Sequence, residues 1–166
     1  MTSPNYGRDA WMSEPDREEW VDAATGYPCL AQRGPVGAWC GYVAVPVDHP
    51  TAGLDYYSSP FELKDFETLT VARVNAQRAV NDIEVHGGLT YAGNDRIHAM
   101  AAKGAWWFGF DCAHSRDYCP RIHQPDHAVL GLGCPAGWGD ARIEYRTLEY
   151  VREQSAKLAA QLAAIQ

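Results

Sequence analysis

Two stretches hold most of the side chains that could do chemistry. Residues 82–93 read D-I-E-V-H-G-G-L-T-Y-A-G, and residues 104–114 read G-A-W-W-F-G-F-D-C-A-H. His86 directly precedes the Gly87-Gly88 pair, and an aromatic run delivers Asp111, Cys112 and His114. A histidine titrates near neutrality and can take or give a proton, with a carboxylate to orient it. His86 with His114 or Asp111 is therefore a candidate acid–base set, with Thr90 and Tyr91 able to hydrogen-bond a substrate. Gly87 and Gly88 would open space and present N–H groups to an anion. The bland reading is that His86 satisfies a turn and the glycines form a bulge. Cys112, two residues before His114, is a candidate nucleophile paired with that histidine. Its bland reading is a buried thiol.

A metal is the other chemistry in view. Asp111, Cys112, His114, Cys119, His123, His127 and Cys134 gather ligand types that zinc accepts. The spacing follows no recognised pattern. C-x-x-C is absent, and Pro125 between His123 and His127 excludes a metal-binding helix of the H-E-x-x-H kind. Zinc stays open as a cofactor. Phosphate-loop, dinucleotide and G-x-S-x-G motifs are absent.

The elements that must position these groups read as one α+β domain over residues 13–166, after a flexible tail at 1–12. β-branched and aromatic runs bounded by glycine predict strands over about 39–47, 82–92 and 105–112. If the last two pair, His86 and the 111–114 group share one end of a sheet. Ser13-Glu14-Pro15-Asp16 predicts a helix start, running to about Ala24. Residues 26–38, rich in Gly and Pro, read as a loop. Helix formers over 72–80 predict a helix, and 94–103 a connector with one helical turn. Residues 115–141 carry scattered Pro and Gly and read as a long loop. From 143 to 166 there is no Gly or Pro, and Leu148, Val151, Ser155, Leu158, Leu162 and Ile165 recur at steps of three and four. That is an amphipathic helix. Its seam covers a sheet face or, as the alternative, associates with a second copy as a homo-oligomer. The whole is a small, mainly antiparallel sheet packed against a long C-terminal helix.

Composition bounds the function. A chain of 166 residues suits one domain, and the hydrophobic fraction of 46% is ordinary for a globular protein. The net charge of −7, without a run of Lys or Arg, argues against a nucleic-acid polymer as partner. The N-terminal residues are polar and lack the apolar core of a signal peptide, and no stretch is apolar enough to span a membrane. A cytoplasmic location is expected, where five cysteines default to thiols. Six tryptophans and nine tyrosines exceed what the core needs and suggest a ligand pocket or an interface.

Four blocks, G-A-W-C-G-Y-V-A-V-P followed by D-H-P, V-H-G-G-L-T-Y-A-G, W-W-F-G-F-D-C-A-H and Y-R-T-L-E-Y-V-R, together resemble a family of small proteins encoded by bacteriophages and prophages. The resemblance covers most of residues 37–118 and 145–162. It implies a phage origin, a bacterial host cytoplasm, and a site built from Trp39, His49, His86, Tyr91, Trp107, Asp111 and His114. The expected function is then an accessory protein that binds a small host molecule, such as a nucleotide-derived immune signal, through those residues with Gly87 and Gly88. This would be an anti-defence role. The alternative is a hydrolase, metal-assisted or not, using His86, Asp111 and His114. A second alternative is a virion or assembly protein associating through the C-terminal helix.

Overall fold

The computed structural model describes residues 10–59, 70–123 and 143–166. Five strands, β1 (Arg17–Val21), β2 (Pro28–Arg33), β3 (Trp39–Val45), β4 (Tyr91–Gly93) and β5 (Trp106–Asp111), form one sheet in the order β1-β2-β3-β5-β4. Every neighbouring pair is antiparallel. The helices are α1 (Val71–Asn81), a single turn α2 (Pro120–His123) and α3 (Leu148–Ala163). The α+β architecture is as expected, with α3 laid across the sheet on β3 and β2.

The N-terminal third departs from expectation. Residues 17–21 are a strand and not part of a helix. Ser13 closes the 3-10 turn Ala10–Met12 through its hydroxyl, which donates to the Ala10 carbonyl at 2.9 Å. Residues 26–38 are not one loop. Their glycines belong to two separate turns, with β2 between them. Gly26 (φ 74°) closes the β1–β2 turn on Asp22, and Gly37 (φ 81°) closes the β2–β3 turn on Gly34. Both need the left-handed backbone that glycine adopts without penalty.

Side chains alternate across the strands and build two clusters. On one face Cys29, Ala31, Trp39, Val43, Val45, Phe108 and Phe110 meet Ala76 and Val80 of α1 and Val151, Leu158, Ala159 and Leu162 of α3. On the other Leu30, Tyr42, Ala44 and Trp107 pack with Ala105. The apolar seam of α3 is thus spent on the chain's own sheet. At the closest approach of β3 and α3, a Cβ on Gly41 would fall 2.4 Å from the Phe110 ring and 3.1 Å from Ser155 Oγ.

The expected strand over 82–92 is short. Only Tyr91–Gly93 pairs with β5. Glu84 and His86 are held instead by α3, where side-chain amides replace a neighbouring strand. Gln161 accepts from the Glu84 N–H and donates to its carbonyl, each at 2.9 Å, and Gln154 accepts from the His86 N–H at 3.0 Å. Seven residues apart, the two glutamines lie on one helix edge. The connector 94–103 makes a turn at His98 rather than a helical turn.

The expected helix over 143–166 begins later. Thr147 caps α3, its hydroxyl accepting from the Tyr150 N–H. Before it the chain is extended: Asp117 and Glu144 form a parallel bridge, with the Tyr118 N–H donating to the Glu144 carbonyl at 2.9 Å. That bridge brings residue 117 beside residue 146. Of the expected 115–141 loop, α2 is described; His127 and Cys134 lie outside the described residues.

Candidate functional site

Val85–Gly88 form a β-turn closed by the Gly88 N–H on the Val85 carbonyl at 2.9 Å. Gly87 sits at its third position with φ 67°, the place a type II turn reserves for glycine. Glycine is also required for space, because a Cβ there would lie 2.0 Å from His114 Cε1. The turn therefore lays His86 and His114 together, with ring centroids 5.3 Å apart. Beside Gly88 the space is open, with nothing within 4 Å of where a Cβ would stand.

The group that unites them is Asp117, only 2% exposed. Its Oδ2 takes His86 Nε2 at 2.7 Å and the His114 N–H at 3.0 Å, and its Oδ1 accepts from Arg146 Nε at 2.9 Å. Burial alone would raise this carboxyl. The hydrogen bonds from His86, Arg146 and the His114 backbone outweigh it and hold the pKa well below the usual carboxylate range. Asp117 is ionised, so His86 Nε2 carries the shared hydrogen. In the neutral ring the other nitrogen, Nδ1, accepts from Tyr150 Oη at 2.8 Å. Carboxylate, imidazole and phenol form one chain, Asp117–His86–Tyr150. The Arg146 guanidinium lies 5.0 Å from the Tyr150 ring centre. Desolvation by burial raises the Tyr150 pKa and keeps its hydroxyl protonated. His114 Nδ1 points at Asp117 Oδ2 from 3.4 Å and has no hydrogen-bond partner.

The residues expected from sequence divide sharply. His86, Gly87 and His114 come together. Asp111 stands at the edge of the group, its Oδ1 4.0 Å from His114 Nδ1, and accepts from the Ala113 N–H. Trp39 and Trp107 are buried in the two clusters on opposite faces of the sheet, so they do not form one aromatic pocket. Trp39 donates its indole N–H to Glu14 at 3.0 Å. Tyr91 packs on the Trp107 side, bonded to Asp95 and covered by Arg96. His49 caps a turn through Thr51 and faces Tyr27, and burial lowers its pKa.

Cys112 is 1% exposed, and burial pushes its thiol far above the ordinary value. It is a core thiol and not a thiolate nucleophile. His123 Nδ1 is engaged with the Cys119 backbone and its ring stacks on Tyr118. Among the described residues, Asp111, Cys112, Cys119 and His123 do not gather into one ligand group. Among the described residues, the one group of ligating side chains close enough to share an ion is His86, His114 and Asp117.

Asp117, Arg146, Tyr150 and Gln154 were not singled out by sequence. The signal for Asp117 is its place three residues after His114. Arg146, Tyr150 and Gln154 recur at steps of four beside the apolar seam of α3, a polar edge that reads as solvated surface until its partner is known. No family model, curated protein or solved structure matches this chain. Among the described residues no helix is long and apolar enough to cross a membrane.

Proposed function

We propose that the protein is a hydrolase whose site is the His86–His114–Asp117 group with Tyr150 and Arg146. The observation that carries this reading is the His86 ring held between a buried carboxylate and a phenol, with a second imidazole 5.3 Å away. Hydrolysis needs one group to take a proton from water and another to return it to the leaving group. His114, whose side chain is 38% exposed, suits the first role. Tyr150, whose hydroxyl is kept protonated by burial, suits the second, its proton going to the leaving group. The guanidinium of Arg146 favours negative charge developing nearby.

The test is turnover of a panel of p-nitrophenyl carboxylic and phosphoric esters by wild type and by His114→Ala, Asp117→Asn and Tyr150→Phe. Loss of proton transfer lowers kcat by roughly 100-fold or more. Variants that match the wild type, or a panel with no turnover at all, would sink the reading.

Capture of a small anion is the second reading. It is favoured by Arg146 and two imidazoles gathered around Asp117, and by the open space at Gly88 in the turn that carries His86. With the resemblance to phage proteins, it corresponds to an accessory protein in the bacterial host cytoplasm that sequesters a nucleotide-derived signal. Recognition would rest on phosphate contacts rather than on stacking by Trp39 or Trp107. A nucleotide panel that leaves the melting temperature unchanged would count against it.

A further inference from the structure

We propose that His86 Nε2, His114 Nδ1 and Asp117 Oδ2 bind one divalent transition metal ion of the zinc class. Their ligand atoms all lie within 4.8 Å of one another. Two imidazoles and one carboxylate are a donor set for zinc, and three protein ligands leave the fourth tetrahedral position open.

The two pairs that share Asp117 are close to the spacing an ion requires, and His86 and His114, within 4.8 Å of each other, would draw in toward it. Ligand atoms on a tetrahedral zinc, at bonds of about 2.0–2.2 Å, stand roughly 3.3–3.5 Å apart. His114 Nδ1 and Asp117 Oδ2 already stand at 3.4 Å. His86 Nε2 and the same oxygen are at 2.7 Å, a hydrogen-bond distance, and must part by about 0.6 Å. The ion would take the place of the Nε2 hydrogen; that proton passes by way of solvent to Nδ1, which then donates to Tyr150 Oη, so the ring binds as a neutral ligand. A hydrogen-bond network alone accounts for His86 but not for His114. The latter's Nδ1 is buried 3.4 Å from Asp117 Oδ2 and makes no hydrogen bond. A cation between the two satisfies both.

The outer contacts are those that hold metal ligands in place. His86 Nδ1 meets Tyr150 Oη at 2.8 Å, which fixes the ring with Nε2 facing inward. Arg146 occupies Oδ1 of Asp117 and leaves Oδ2 for the ion. Gly87 lets the His114 ring approach where any Cβ would exclude it. The His114 side chain is 38% exposed although its Nδ1 is covered, so a small turn of this ring would open the group to an ion and a fourth ligand.

The site is the one read above as hydrolytic, but binding is measured without reference to turnover. The full chain, freed of metal with chelator, is titrated with zinc and with cobalt(II) by calorimetry and visible spectroscopy. The expected result is one ion per chain, with a cobalt spectrum free of thiolate charge-transfer bands. His86→Ala, His114→Ala and Asp117→Asn should each weaken binding by more than the ~10–100-fold that losing an outer partner costs, and Tyr150→Phe by that smaller factor. His49→Ala and Cys40→Ser should bind as the wild type does. Circular dichroism checks each fold, and His114→Ala, altering a partly exposed side chain, remains informative if Asp117→Asn unfolds. Absence of stoichiometric binding, or binding that survives His114→Ala, overturns the proposal. Ester hydrolysis that persists with excess chelator would overturn a metal role and keep the hydrolase. Tight binding without turnover would keep the metal and discard the hydrolase.

Discussion

Asp117 Oδ2 and His86 Nε2 meet at 2.7 Å across 31 residues of sequence. Neither belongs to a strand or a helix. Each is delivered by a turn that a larger element holds in place: His86 by Gln154 of α3, and Asp117 by the bridge to Glu144. The carboxylate is almost fully buried, so its charge is tolerable only because the Arg146 guanidinium pairs with it and His86 hydrogen-bonds it.

Replacing Asp117 with Ala should destabilise the fold by about 3 kcal/mol, because Arg146 and His86 lose their common partner. Urea unfolding measures it. A carboxyl held low in the folded chain contributes stability that is fully present above its unfolded value, near pH 4, and is lost as pH falls toward the folded value. The wild type should therefore lose stability below about pH 4, and Asp117→Asn should show a shallower acid limb.

Gly87→Ala and Gly88→Ala separate backbone strain from crowding. Both glycines have positive φ, 67° and 85°, so each substitution should cost on the order of 1–3 kcal/mol in conformational strain. Gly87 alone would also drive a methyl into the His114 ring. Gly87→Ala should be the more destabilising and should raise the reactivity of His114 toward diethyl pyrocarbonate; Gly88→Ala should leave that reactivity unchanged.

Glu14 ties the first turn to the last helix. Its carboxylate accepts from Arg33 at 3.2 Å, Trp39 Nε1 at 3.0 Å, Tyr145 Oη at 2.5 Å and the Leu148 N–H at 2.8 Å. Glu14→Ala leaves the buried Arg33 without this partner and the α3 N-terminus without its acid, at an expected cost of about 3 kcal/mol. Glu14→Gln, which keeps an acceptor, should cost less. Denaturant midpoints of the two variants check the order.

Gly41 and Ser155 make a contrasting pair. Gly41→Ala should destabilise by about 1–3 kcal/mol through overpacking against Phe110 and α3. Ser155→Ala should be neutral or stabilising, since its hydroxyl is fully buried without a hydrogen-bond partner. A Gly41→Ala variant as stable as the wild type would show that β3 and α3 part easily.

Sequence reading succeeds where one period dominates. The steps of three and four in α3 needed only a flat apolar surface to pack on, and that is what β3 and β2 provide. The Val-rich run of β3 and the aromatic run of β5 form strands as expected, and the fold pairs them with each other. β1 fails because it is an edge strand, partly exposed on both faces, so Arg17-Glu18-Glu19-Trp20 carries no strong alternation. β2 fails because closely spaced Gly and Pro look like one loop when they mark two turns.

By itself, then, the amino-acid order determined the α+β class, the seam of α3, and the pair of histidines set beside Gly-Gly and at a strand end. Those features rest on local periodicity and on the backbone freedom of glycine, which neighbours in sequence decide. Only the tertiary structure decided which acid serves the histidines. Asp111 is next in sequence, but it lies at the margin. Asp117 is the partner because a bridge to residue 144 buries it against Arg146, and because α3 sets Tyr150 on the far side of His86. Hydrogen-bond partners separated by 31 and 64 residues are chosen by packing, and no local pattern records that choice.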